Sequence, residues 1–221
     1  MSEIRHAATI VLIRQEGQKK YLLMGKRGSK AAFMPCKYVF PGGAWEQVDM
    51  AVPFVQGIAH RQKQFLMLET DFSESLNLGI TAIRELWEET GLRLSSRRNF
   101  SNFPISWKDF FSKNQGPNLS KLNFFFRAVT PAGRPRRFDA RFFFCDARYI
   151  HSDLDDFNGA SGELSNLQWI EISQAQNFEL PKITKIVIEH LIDLVAADFN
   201  YDYIPFYSGG SDGLDKKKLW L

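Results

Sequence analysis

The sequence predicts an α/β fold built on a mixed sheet. β-rich runs alternate with amphipathic helical stretches along the chain. The turns between the runs are short, which favours mixed or antiparallel pairing over parallel crossovers alone. With 44% hydrophobic and 24% charged residues, the 221-residue chain has the composition of an ordinary globular protein. That length suits one domain spanning 1–221, with or without an insertion. Its 20 phenylalanines predict an aromatic-rich core.

The elements follow in order. "AATIVLIR" (7–14) and "YLLMGKR" (21–27) are β-rich runs across the polar turn "QEGQKK", which reads as a hairpin. "YVFPGG" (38–43) is a short strand stopped by Pro41 and two glycines. Residues 50–79 have partial helical periodicity and predict one or two helices. "ITAIRELWEETG" (80–91) is a clear helix, with Ile80, Ile83 and Trp87 on one stripe and Gly91 placed to end it. "SWKDFFSK" (106–113) predicts a short amphipathic helix. "LNFFFRAVTP" (122–131) and "RFDARFFFCDARYI" (137–150) read as strands, and 153–163 as a polar loop. "LQWIEI" (167–172) is expected to be the last strand, before a long amphipathic helix over 180–199. The tail 200–221 shows no strong period.

Composition narrows the function. A net charge of +3, with basic residues scattered apart from 134–141 and the last residues, suits a small anionic substrate and does not argue for nucleic acid. The two cysteines, Cys36 and Cys145, have neither metal spacing nor a disulfide framework and read as thiols in a reducing compartment. No apolar run reaches transmembrane length, "MSEIRHAATIVLIRQ" does not read as a signal peptide, and "KLWL" is not the peroxisomal address. The expectation is a cytoplasmic protein that engages no membrane, with a homodimer open.

The chemistry centres on "RELWEETG" (84–91). Glu85, Glu88 and Glu89 stand at i, i+3 and i+4 and share one helical face. Their mutual repulsion costs a few tenths of a kcal/mol per pair, roughly, unless it is cancelled. Arg84 is placed i, i+4 from Glu88 to cancel part of it. Either water solvates the rest or a hard cation such as Mg²⁺ or Mn²⁺ binds there, since such ions prefer carboxylate oxygens.

The surroundings decide between these. With "FPGG" upstream and "GL" downstream, the stretch resembles the signature of the Nudix hydrolases, G-x5-E-x7-R-E-U-x-E-E-x-G-U, where U is bulky and apolar. Arg84, Glu85, Leu86, Glu88, Glu89, Gly91 and Leu92 match its second half. Counted from Gly43, the first glutamate of the signature falls on Asp49, and residues 50–83 stand where the signature has its x7 spacer. The chain therefore looks like a Nudix box split by an insertion of about 50–79. "FMPCKYVFPGG" (33–43), "TPAGRPRRFDARFF" (130–143), "HAATIVLIR" and "LPKITKIVIEHL" are similar to a subgroup with such an insertion, the peroxisomal coenzyme A diphosphatase-like Nudix proteins.

The resemblance implies an α/β/α sandwich with a mixed sheet and a helical insertion. It implies a metal-dependent diphosphatase that cleaves a nucleoside diphosphate linked to another moiety. CoA or acyl-CoA is the first expectation, with ADP-ribose or NADH-type compounds and dinucleotides as alternatives. A non-catalytic nucleotide-sensing Nudix domain is the alternative of another class. Carried onto this chain, Glu88 and Glu89 are metal ligands, Glu85 is a ligand or helps activate water, Arg84 orients a glutamate, and the Gly43 carbonyl completes the shell around Mg²⁺ or Mn²⁺. Glu163, in a loop before a strand, is either the distant general base or an ordinary loop glutamate. Asp139 is either such an acid or the partner of its arginine neighbours.

Arg27, Arg137 and Arg141, with Arg136, are candidates to grip substrate phosphates, a task that suits the planar guanidinium. Surface charges that keep an edge soluble are the competing reading. Strand alternation puts Arg137, Asp139 and Arg141 on one face and Phe138 and Phe142 on the other. The motif that accompanies CoA specificity in other Nudix enzymes keeps only Arg27 and "FPGG" here, because its second Arg falls on Ala32 and its Gly on Cys36. His190 lies on the apolar stripe of the last helix and reads as a core or boundary residue.

Overall fold

A computed structural model describes residues 3–31, 33–210 and 213–221, so Ala32 lies outside it. Its centre is a nine-stranded mixed sheet in the order β11-β10-β7-β8-β1-β2-β3, with β4 paired to β1 and β9 to β2. The predicted hairpin is β1 (Ile4–Glu16) and β2 (Lys19–Arg27), closed where Glu16 faces Lys19. Gly17 supplies the positive φ, +58°, that the turn needs.

One edge of β1 is shared by two strands, and this places the site. β2 pairs with β1 only at Ile13–Glu16. Its edge then passes to β3 (Tyr38–Val39) at Gly25 and Lys26, while its other edge carries β9 (Leu164–Glu171) from Tyr21 to Arg27. β4 (Gly42–Ala44) takes the vacated edge at Ala7–Thr9. The other edge of β1 runs parallel to β8 (Arg137–Asp146), which pairs antiparallel with β7 (Asn123–Val129).

The period-2 pattern of these strands makes two cores, one on each face. Ala8, Ile10, Leu12, Phe124, Phe143 and Cys145 pack against Ile80, Ile83 and Leu86 of α2 (Leu78–Thr90). Val11, Ile13, Phe126, Phe142 and Phe144 pack against Val187, Ile188 and Leu191 of α4 (Lys182–Ala196). The sheet is thus the middle layer of an α/β/α sandwich. Leu86 is fully buried, and truncating it to Ala costs about 3 kcal/mol. α2 ends where the Gly91 amide donates to the Trp87 carbonyl at 2.7 Å with φ of +80°.

Two expectations hold in shorter form and one changes. Residues 50–79 hold one short helix, α1 (His60–Leu66), a 3₁₀ turn at Ser75–Asn77 and irregular backbone up to α2. The 106–113 helix is a 3₁₀ turn leading into α3 (Lys108–Phe111). β9 is not the last strand, because the tail forms β10 (Tyr203–Gly210) and β11 (Gly213–Trp220), with β10 parallel to β7. Pro205 and a run of lysines masked the β pattern there; the lysines lie on the edge strand β11, and Pro205 lies in β10 just before the two residues, Phe206 and Tyr207, that pair with β7. A small separate ladder of β5 (Ser95–Arg97) and β6 (Gln115–Pro117) also escaped the sequence, its strands being too short to show a period.

No described helix is long and apolar enough to cross a membrane.

Candidate active site

α2 lays its apolar stripe on the sheet, and this turns Arg84, Glu85, Glu88 and Glu89 toward β4 and the loop that follows it. Arg84 is the hub. Its Nε donates to Asp49 Oδ1 at 2.9 Å, and its Nη1 to Glu85 Oε1 at 2.8 Å and Glu88 Oε2 at 3.1 Å. Its Nη2 donates to the Ala44 carbonyl at 2.8 Å. Burial opposes the guanidinium charge, but Asp49 and the glutamates outweigh it and hold Arg84 firmly protonated. The predicted Arg84–Glu88 pair is therefore one arm of a larger network.

Asp49 is 1% exposed. Besides Arg84 it accepts from Thr81 Oγ1 at 2.8 Å and from the Glu46 amide at 3.2 Å. Its carboxylate thus ties the loop after β4 to α2. The shorter acid fills the position where the signature has a glutamate, and its role here is to hold Arg84.

The two glycines of β4 meet two carboxylates. The Gly42 amide donates to Glu89 Oε2 at 2.8 Å. Gly43 faces Glu85 so closely that a methyl on its Cα would overlap that carboxylate. Glu89 is 2% exposed, and burial followed by the nearby Glu85 charge pushes its carboxyl up to about 8. Burial likewise pushes Glu85 up to about 7, against the pull of Arg84, and raises Glu88.

These residues fit a hard divalent cation. Buried carboxylates short of positive charge are stabilised by one, and the bare Cα of Gly43 leaves its surroundings open to close approach. Among the described residues no three His, Cys, Asp or Glu side chains converge into a finished metal cage.

The rim of the site carries Arg27 and Glu163. Arg27 and Leu164 face each other across the β2–β9 ladder. The charges of Arg27 and Glu163 both act on Glu89, and that of Glu163 also on Glu85. Glu163 is exposed, and Arg27 is half-buried, its buried Nε having no hydrogen-bond partner among the described residues. The Ser161 amide donates to the Glu88 carbonyl at 2.7 Å, fixing the Glu163 loop to the end of α2.

Arg137 and Arg141 do not join this group. Arg141 is 1% exposed and pairs with Asp139 at 2.8 Å, so it is not a surface arm for phosphate. Arg137 Nε donates to the Thr130 carbonyl at 3.1 Å, near Arg5 and Arg136 at the start of β8. Asp139 is the ion-pair partner that was one of its two readings, and its strongest partner is Arg127, at 2.9 and 2.7 Å. Sequence reasoning missed Arg127 because a lone arginine in "FFFRAV" carries no spacing signal; its position opposite Arg141 across the β7–β8 ladder becomes visible only with the register.

This buried cluster holds residues 68–72 onto the sheet. Arg127 Nη1 donates to the Glu69 carbonyl at 2.8 Å, and Arg141 Nη2 to Thr70 Oγ1 at 3.0 Å. Phe72 then stacks on His6 at 3.8 Å and meets Trp45 edge-on at 5.3 Å. Trp45 follows Ala44, whose carbonyl Arg84 holds, so segment 68–72 packs directly against the loop that carries Asp49.

An acidic helix face and an arginine hub are set against a Gly-Gly strand on an α/β/α sandwich. The family model described as the NUDIX domain matches residues 4–191, and the chain belongs to that family. The chain is 29% identical over 186 residues to a Caenorhabditis elegans protein named "Putative nudix hydrolase 7", covering 77% of this chain and 52% of that protein. It thus spans about half the length of the curated relative it matches. It is also similar to the crystal structure of a NUDIX hydrolase from Alicyclobacillus acidocaldarius, with TM-score 0.65 and 26% identity over 87% of this chain and 93% of that one.

Proposed function

We propose that this chain hydrolyses the diphosphate bond of a nucleoside diphosphate linked to another moiety, with CoA or acyl-CoA the leading substrate, in a reaction that requires Mg²⁺ or Mn²⁺. The observation that carries the reading is the packing of Glu85 and Glu89 against Gly43 and Gly42, with Glu88 and Glu85 steered by Arg84.

Glu88, Glu89 and Glu85 would hold the metal, with the Gly43 carbonyl beside them. Bound there, the ion neutralises diphosphate charge and makes a coordinated water more acidic. The remaining work falls to the chain's own residues and is mostly positioning and electrostatics. Arg84 keeps Glu85 and Glu88 in one orientation and anchors the β4 loop through Ala44 and Asp49. Arg27, half-buried at the rim, grips a phosphate of the substrate. Glu163, solvent-facing and close enough for its charge to reach Glu85 and Glu89, accepts the proton of the attacking water. Water adds to one phosphorus, the bridging oxygen leaves with the other, and two phosphorylated fragments result.

Residues 50–79 are read as an insertion within the box, held beside the site by Phe72 and Trp45 and shaping access to it. The subgroup resemblance supports CoA; the two CoA-motif positions this chain lacks leave the nucleotide sugars and dinucleotides in the test. Hydrolysis of CoA, ADP-ribose, NADH and dinucleoside polyphosphates is measured with Mg²⁺ and with Mn²⁺, and the products are identified. Two phosphorylated fragments from a member of the panel support the proposal. Tight nucleotide binding with no turnover on any member would assign the chain to the sensing class instead.

A further inference from the structure

A second anionic site lies away from the glutamates. Arg97, Arg98, Asn99, Lys113 and Asn114 line a surface cleft of about 520 Å³. The small β5–β6 ladder builds it. Arg97 faces Gln115 across that ladder, and the Arg98 amide donates to the Asn114 carbonyl at 3.0 Å. Asn114 takes a left-handed φ of +53° that turns the chain from α3 into β6. Two segments therefore leave the ladder at one end and place three cations and two amides around one concavity.

Among the described residues, no carboxylate lines this cleft. The buried cations are matched by carboxylates, Arg84 by Asp49 and Arg127 and Arg141 by Asp139, and so is the partly exposed Arg14, by Glu16 and Asp155. Among the described residues, Arg97 and Lys113 make no ion pair and no side-chain hydrogen bond. Arg98 makes a single long one, from Nη1 to the Val55 carbonyl at 3.4 Å, and its guanidinium lies 5.2 Å from the centroid of Phe100. That packing holds Arg98 in place without neutralising it. Three like charges gathered without a counter-ion are unfavourable on their own, and an oxyanion would relieve them.

We propose that this cleft binds a phosphate-type oxyanion, either a phosphomonoester carried by the substrate or a free polyphosphate. Guanidinium forks, an ammonium and amide N–H groups are the donors that chemistry takes. A long nucleic acid is disfavoured, because the cleft is a single concavity and the chain's net charge is only +3. The substrate-borne source rests on the proposed hydrolase function. It is within reach, since Arg98 touches Val55 and the chain from Asp49 to Val55 spans at most about 20 Å.

The test starts with calorimetric titration of inorganic tripolyphosphate into the chain in EDTA, for wild type, Arg97→Ala/Lys113→Ala and Glu89→Gln. Both cleft residues are exposed, and far-UV circular dichroism checks that the double variant keeps its fold. The expected result is salt-sensitive binding to wild type and Glu89→Gln, weakened roughly tenfold or more in the double variant. Absence of binding to wild type, or equal binding by the folded double variant, overturns the site. Steady-state kinetics on NADPH and NADH, which differ by one phosphomonoester, then separate the sources. A rise in KM for NADPH alone in the double variant, with kcat kept, assigns the cleft to substrate; unchanged KM for both, with tripolyphosphate binding weakened in that variant, assigns it to free anions. Should neither compound be hydrolysed, the titration still decides the site independently of the proposed activity.

Discussion

Arg84 Nε and Asp49 Oδ1 lie 2.9 Å apart, and both side chains are almost wholly buried, at 6% and 0% exposure. The pair joins α2 to the loop after β4, two segments 35 residues apart in sequence. The same guanidinium steers Glu85 and Glu88, so the geometry of the acidic face depends on a residue that is itself almost wholly buried.

Asp49→Ala leaves a buried guanidinium without its main partner. A loss of about 3 kcal/mol in unfolding free energy is expected, since breaking one side of a buried pair strands the other charge. Urea denaturation of the metal-free chain measures it. The companion expectation is a lower kcat in the folded fraction, because Glu85 and Glu88 lose their common tether.

The raised carboxyls of Glu85 and Glu89 set a pH dependence in the metal-free chain. Their ordinary value is 4.5, and in the folded chain they reach about 7 and about 8. Between those limits the folded state holds protons that the unfolded state has released. Their contribution to stability is therefore full below about pH 4.5 and is lost as pH rises through 7 to 8. Thermal melts in EDTA should show Tm falling from pH 6 to pH 9 in wild type and falling less in Glu89→Gln. Added Mg²⁺ or Mn²⁺ favours the ionised carboxylates, so its stabilising shift should grow with pH.

Asp139→Asn tests the clamp on residues 68–72. It leaves Arg127 and Arg141 facing each other with less negative charge between them, and a loss of about 3 kcal/mol is expected. Hydrogen exchange gives the more specific readout. Amides of residues 68–72 should exchange faster in this variant, while those in α4, on the far face of the sheet, keep their relative protection.

Much of this architecture was legible beforehand, and the exceptions have physical causes. The β1–β2 hairpin and α2 announce themselves through strong periods and glycines at the positions that need them. The glutamate face followed from helical spacing, and its meaning from "FPGG" and "GL" around it. The β10–β11 hairpin was hidden because β10 carries Pro205 and the edge strand β11 three lysines, residues that weaken an apolar alternation. Arg141 was misread as an exposed arm because alternation fixes which face a residue points to and says nothing of what covers that face. Residues 68–72 cover it, and that contact depends on Arg127, a partner set by strand register.

The most direct test of the central claim is Mg²⁺- or Mn²⁺-dependent hydrolysis of the diphosphate panel by wild type and Glu89→Gln side by side. The account predicts two phosphorylated products from wild type and a fall in kcat of roughly 100-fold or more in the variant. No turnover of any substrate with either metal, or undiminished turnover by Glu89→Gln, would contradict it.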